Sequence, residues 1–418
     1  METLQLNRDV FQTTAPNGLT VVSERVASVR SVAVGIWVRA ASVHEHRQQM
    51  GVSHLLEHMV FKGTERRSAR EIALELESRG GALDAYTSRD TTAYQARVLD
   101  ADLPRALDVL TDLVRRPSLR DTDLDLERNV ILEEINTVQD TPDDLVFDLT
   151  AEALWPEHPY GYSILGTRES VTGLATGDLR TLHGRAYVPG NCVIAAAGNL
   201  EHTTLLELVA GQGWFDVSNG SGGPPTPPST AAALRGRDVR HAKDTAQTHI
   251  VFATDSVPFA DPRKHALMVL SNVFGGGMSS RLFQRVREEL GLAYSVYAYG
   301  QYYGRVGVQG VYVGTQPKTA ARAAETIRDE FRRLAQEGLP GDTLAQGKQQ
   351  TQGQLMLMLE SPTARMYRLA GFAVHGAPYR SLDETLADIA ALSPERAAEV
   401  AAEFFSPDRQ TLVWLGPN

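Results

Sequence analysis

A stretch with no periodicity of either helix or strand divides this chain near its middle. Residues Ser218 to Ser229 read S-N-G-S-G-G-P-P-T-P-P-S. Gly and Ser leave the backbone free and Pro stiffens it locally, so this stretch reads as a linker, with outer limits at 218–240. At 418 residues the chain is too long for one ordinary core. Residues 1–217 and 241–418 are therefore expected as two domains. Both halves run through similar signals in similar order. The first has alternating segments near 19–40 and from Leu83 to Val98, then helical stretches near 101–116 and 121–139. It closes on a helix near 177–184 and the apolar strand Val193 to Ala197. The second has strands at Thr248 to Thr254, Ala293 to Tyr303 and Gly307 to Val313, then helices near 317–336 and 341–359. It closes on a helix near 394–404 and the strand Gln410 to Leu415. The fold class is thus α+β, read as two homologous domains, each a mainly antiparallel sheet covered by helices, with two unrelated α+β domains as the alternative. Setting Leu124 against Leu344 places Glu127 opposite Gly347 and Glu134 opposite Gln354. On that register one copy carries the carboxylates and the other does not.

The formal net charge of −10 argues against non-specific nucleic-acid binding, which needs basic patches. One cysteine, Cys192, lies in the apolar run C-V-I-A-A-A, where it reads as a buried thiol. A single cysteine also excludes an internal disulfide and every cysteine-rich metal site. The first residues show no charged segment followed by an apolar one, and no run approaches the roughly 18 apolar residues of a membrane span. A cytoplasmic protein with no membrane or nucleic-acid partner is expected.

The segment that carries chemistry is G-V-S-H-L-L-E-H-M-V-F-K-G, residues 51–63. Leu55, Leu56, Met59 and Val60 recur at helical intervals and Gly63 is a stop. Residues four apart on a helix are neighbours, so His54 and His58 present both imidazoles to one point, as a tetrahedral zinc requires. Glu57 leans toward the same point, which makes this the inverted H-x-x-E-H arrangement of zinc hydrolases. By chance such a motif arises in roughly one chain in fifty of this size, so a third ligand is the needed second observation. Glu127 and Glu134 share a face of the later helix, beside the stripe of Leu124, Ile131, Ile135 and Val138. Spacing alone leaves them either as solvated glutamates at the stripe's edge or as a ligand and its supporting carboxylate. In H-E-H, residues 44–46, His44 and His46 alternate on a segment that in extended form can bind metal, but they read as exposed loop histidines, and His158 as a turn residue.

The motif His54 to His58, followed by Glu134 in N-V-I-L-E-E-I, resembles the pitrilysin/insulinase family of zinc peptidases, in its branch of processing peptidases and bacterial relatives. The resemblance covers nearly the whole chain. Further matching stretches are G-G-A-L-D-A-Y-T-S-R-D-T-T-A-Y (80–94), Y-V-P-G-N (187–191), A-A-G-N (196–199), G-G-G-M-S-S-R-L-F (275–283) and R-E-E-L-G-L-A-Y (287–294). It implies a zinc metalloendopeptidase that hydrolyses peptides or short unfolded polypeptides, with one Zn2+ per active site. His54, His58 and Glu134 would be the ligands, Glu57 the general base, and Glu127 the carboxylate behind the ligands. The units would pair into a clam-like chamber around an extended peptide. Arg287 and Tyr294, seven residues apart, match a pair that reaches the substrate. A chain with two units would borrow that pair from a homodimer partner, or from a homologous subunit in a heterodimer. Ala82, Leu83, Asp84, Ala85, Tyr86 and Thr87 resemble the edge strand on which substrate docks by strand addition. Asp84 stands where the family often has Asn, exchanging a donor-and-acceptor amide for a group that only accepts. The alternative is a catalytically silent subunit of the same fold that binds peptides or scaffolds a complex.

Overall fold

The computed structural model describes residues 1–217 and 232–417. Most of the expected linker, 218–231, lies outside the described residues. Residues 238–240 of the same stretch belong to a strand.

Among the described residues, twelve strands form two sheets. The first sheet holds β1 (Glu2–Asn7), β2 (Val10–Thr14), β3 (Thr20–Arg25), β4 (Ser31–Val38), β5 (Ala82–Thr87), β6 (Thr92–Leu99) and β7 (Cys192–Gly198). Their spatial order is β1-β2-β3-β7-β4-β6-β5. The second holds β8 (Asp238–Ala242), β9 (Thr248–Ser256), β10 (Ala293–Tyr302), β11 (Gly307–Thr315) and β12 (Thr411–Gly416), in the order β10-β11-β9-β12-β8. Pairing is antiparallel throughout except for one parallel pair in each sheet, β3 with β7 and β12 with β8.

The contacts divide the chain into two compact units that are not continuous in sequence. One comprises residues 1–135, the described part of 163–228, and 358–379; the other comprises 136–162, the described part of 229–357, and 380–417. In the first unit, the helix Pro362–His375 lies on β3, β4 and β7, its Met366, Leu369 and Ala370 buried with Trp37, Val193 and Ala195. In the second, the helix Pro142–Leu154 lies on β9 and β12. Each unit thus takes a helix from the opposite side of the 218–240 stretch.

This arrangement explains why β7 is apolar at every position. Its residues face helices on both sides of the sheet, and Cys192 to Ala197 are wholly buried, which suits an unbroken apolar run rather than alternation. The other face of the first sheet carries the helices Val52–Val60, Leu103–Arg115 and Thr176–Ala186. In Val52–Val60, Leu55, Leu56, Met59 and Val60 are fully buried, each contributing about 1.5–3 kcal/mol of transfer free energy. That stripe fixes the rotation of the helix and turns His54, Glu57 and His58 to its other face. β5 is the last strand of the sheet, so its outer backbone edge has no strand beside it among the described residues.

Candidate metal centre

The helix Val52–Val60 begins at Gly51, which has φ +87° and no side-chain cap. A Cβ there would meet the Leu165 carbonyl oxygen at 2.5 Å, so glycine is required twice over, by conformation and by space. The missing cap is supplied from outside the helix. Glu45 accepts from the backbone N–H of Gly51 at 2.9 Å and of Ser53 at 2.8 Å. Burial raises the Glu45 carboxyl above its usual value, and the two amide donors pull it back. The first-turn N–H groups and the positive end of the helix dipole are what make a carboxylate tolerable there. No local signal in the sequence marks Glu45, because the contact depends on how the loop folds back.

The opposite side of the centre is the helix Asp121–Asp140, seated through Leu124 and Ile131. It brings Glu134 to the two imidazoles. Glu134 Oε2 lies 3.6 Å from His54 Nε2, and Oε1 lies 3.5 Å from His58 Nε2. These separations are long for hydrogen bonds, but close to the spacing of two ligands each about 2.1 Å from a tetrahedral ion, roughly 3.4 Å. Ligand atoms of the three residues all lie within 4.8 Å of one another, and no second such group occurs among the described residues. Glu134 thus faces both rings, with its side chain 39% exposed.

Protonation suits the same purpose. Burial, and then the neighbouring His58, push His54 down to about 3, so its ring stays neutral and keeps a lone pair. His58 Nδ1 donates to Glu127 Oε2 at 3.1 Å. A carboxylate only accepts, so this bond fixes the tautomer in which Nε2 presents its lone pair toward Glu134. The other Glu127 oxygen is held by Lys62 at 2.7 Å. Lys62, one turn beyond His58, is a supporting residue that the sequence reading did not single out. His54 Nδ1, by contrast, is buried with no protein partner.

Glu57 stands between the ligands and β5. Burial raises its carboxyl above the usual range; a hydrogen bond from Thr87 and the proximity of His58 oppose that, while Glu134 and Asp84 add to it. The donors present are two imidazoles and the Glu134 carboxylate, with a second carboxylate, that of Glu57, beside them. That set fits a divalent ion of zinc's preferences.

The strand residues divide by face. Leu83 and Ala85 pack toward the helices, and Tyr86 packs on the other face, where Trp37 Nε1 donates to its hydroxyl at 3.0 Å. Asp84 is exposed and accepts from Gln95 at 3.4 Å. In the second unit, Arg287 and Tyr294 are brought together, with the guanidinium carbon 4.6 Å from the Tyr294 ring centre. Tyr294 is 77% exposed.

Two α+β units, one bearing the inverted H-x-x-E-H helix with a carboxylate from a second helix, define a class of metal-dependent peptidases. Residues 20–168 match the insulinase family, peptidase family M16, and residues 174–351 match the peptidase M16 inactive domain. The chain is 37% identical over 415 residues to an "uncharacterized zinc protease" of Streptomyces coelicolor, covering 98% of this chain and 90% of that protein. It is also 37% identical over 405 residues to the "uncharacterized zinc protease" YmxG of Bacillus subtilis, covering 97% and 98%. In fold it is similar to a protease from Helicobacter pylori, with a TM-score of 0.91 at 22% identity, covering 98% of this chain and 99% of that one. An M16-like peptidase from Alicyclobacillus acidocaldarius gives 0.86 at 21% identity, covering 99% and 100%. The chain belongs to peptidase family M16, the insulinase family.

Proposed function

We propose that this protein is a zinc metalloendopeptidase that cuts extended peptides or short unfolded polypeptides. The observation that carries the reading is the convergence of His54, His58 and Glu134, ligand atoms within 4.8 Å, beside the half-buried carboxyl of Glu57. The names of the curated relatives support zinc as the metal. Zinc bound there would act as a Lewis acid and bring a water's pKa to about 7.

Within this chain, Glu57 takes the proton of the attacking water and then delivers it to the departing amine. Its raised proton affinity suits both halves of that task. Glu127 and Lys62 hold His58 in its working tautomer. The free edge of β5 offers backbone groups to an extended peptide, whose main chain supplies affinity while side-chain pockets on alternate positions supply selectivity. Arg287 and Tyr294 act on substrate bound at the metal centre of a second chain, where the phenol donates to the developing oxyanion. The working form is therefore a homodimer or a heterodimer with a homologous subunit.

Turnover of an internally quenched peptide, with and without chelator, tests the assignment. Glu57→Gln is expected to keep its zinc and lose about 10²–10⁴-fold in kcat. Substantial hydrolysis by that variant, or chelator-resistant hydrolysis by the wild type, would remove Glu57 or the metal from the reaction. A protein that holds zinc yet cuts no peptide of any length would be a silent subunit.

A further inference from the structure

We propose that Thr87 is a positioning residue for Glu57: its hydroxyl, carried on the last residue of the edge strand, holds one carboxylate oxygen and aims the other at the attacking water. This rests on the peptidase reading of the site. Thr87 Oγ1 donates to Glu57 Oε2 at 2.5 Å. Because an ionised carboxylate has no hydrogen to give, the hydroxyl must be the donor, and one Glu57 oxygen is thereby committed.

The support behind Thr87 is rigid. Strand alternation sets it on the face of Leu83 and Ala85, which pack into the core beneath the metal helix. It pairs with Thr92 at the closed end of the β5–β6 hairpin. The turn is tied by Ser88 N–H to the Thr91 carbonyl at 2.8 Å and by Ser88 Oγ to the same carbonyl at 2.9 Å. Two bonds anchor that hairpin to the segment preceding the metal helix: Val43 N–H to the Arg89 carbonyl at 2.9 Å, and Thr92 Oγ1 to the Ala40 carbonyl at 3.0 Å. A β-branched residue is also stiff about χ1. A glutamate has three rotatable side-chain bonds, and a base that wanders among rotamers loses the alignment on which proton transfer depends. Thr87 therefore places the base in the same frame as the backbone edge proposed to dock the peptide. Substrate and base are registered by one hairpin rather than by two independent elements.

The experiment compares Thr87→Val, which keeps the shape and removes the hydroxyl, with Thr87→Ser, which keeps the hydroxyl. With zinc-loaded proteins and a quenched peptide, Thr87→Val is expected to lose about tenfold or more in kcat with KM within about twofold, while Thr87→Ser regains most of the loss. An unchanged kcat in Thr87→Val overturns the proposal, as does an equal loss in both variants, which would point to the methyl group. A loss confined to KM would assign Thr87 to peptide docking alone. A second readout needs no turnover: crystal structures of the wild type and Thr87→Val. Glu57 is expected in one rotamer in the first and in several, or a different one, in the second; an identical Glu57 in both overturns the proposal. If the wild type fails to cut peptides, the peptidase reading falls, and the Glu57 rotamer still decides this one.

Discussion

Buried ionisable side chains in this protein follow two regimes, set by what surrounds each. Glu45 and Glu57 are carboxyls whose proton affinity rises with burial, each moderated by a donor aimed at it. The buried histidines go the other way. His202 is held between the hydroxyls of Thr13 and Ser23, both at 2.8 Å, and burial lowers its pKa from the usual 6.5. As the pH falls through 6.5, the unfolded chain takes up a proton that the native ring refuses, so stability is lost toward acid and is fully present above that range. Melting temperature measured from pH 7 to pH 5 is expected to fall less steeply in His202→Gln than in the wild type. Equal slopes would mean that the ring is not held neutral. The same desolvation at His54 serves chemistry rather than stability, since a neutral ring is what a metal needs.

Equivalent helices of the two units show how one packing arrangement serves a site in one place and a core in another. In the first unit, Glu127 on Asp121–Asp140 meets His58 on Val52–Val60. In the second, Gly347 on the helix Gly341–Met358 meets Val273 on the helix Lys264–Gly275, so closely that a Cβ would lie 2.3 Å from Val273 Cγ2. Val269 and Val273 are four apart, as His54 and His58 are, and both are buried. Helix contact replaces ligand geometry there, and with Gln354 at the place of Glu134 no ligand set remains. Gly347→Ala gains about 1 kcal/mol of helix propensity but must displace a branched, buried side chain, an overpacking cost of about 1–3 kcal/mol. Net destabilisation is expected. Combining it with Val273→Ala should show a favourable coupling of about 1 kcal/mol or more in denaturant titrations. Strict additivity would mean that the two residues do not touch.

For the whole molecule, the dimer proposed above would set the metal centre of one chain against Arg287 and Tyr294 of a second. If Arg287 and Tyr294 serve the partner's centre, Glu57→Gln and Tyr294→Phe lie at different sites of a mixed dimer. One site of each such dimer then carries both defects and the other carries neither. Co-expressing or refolding the two variants together is expected to restore about a quarter of the wild-type sites, by random pairing within a closed dimer. A mixture no more active than the mean of the two variants would exclude a shared site. No helix among the described residues is long and apolar enough to cross a membrane.

Local chemistry alone determined the α+β class, the duplication, the helix bearing His54, Glu57 and His58, and the absence of carboxylates from the second copy. Each of these follows from short-range periodicity, residue type and spacing, which a chain carries before it folds. Helix limits such as 121–140 against the expected 121–139 are legible for the same reason. The first strand, Glu2–Asn7, is not legible in the sequence, because an exposed edge strand has little apolar alternation to show. Tertiary structure alone brought Glu134 to the two imidazoles, since seven-residue spacing puts a carboxylate on a face without saying what that face meets. It also joined Glu45 to the metal helix and Thr87 to Glu57, contacts between segments far enough apart that no periodic signal links them. The exchange of the helices Pro142–Leu154 and Pro362–His375 between the two sheets is of the same kind. An amphipathic helix records that it has an apolar face, and only the folded chain determines which sheet that face covers.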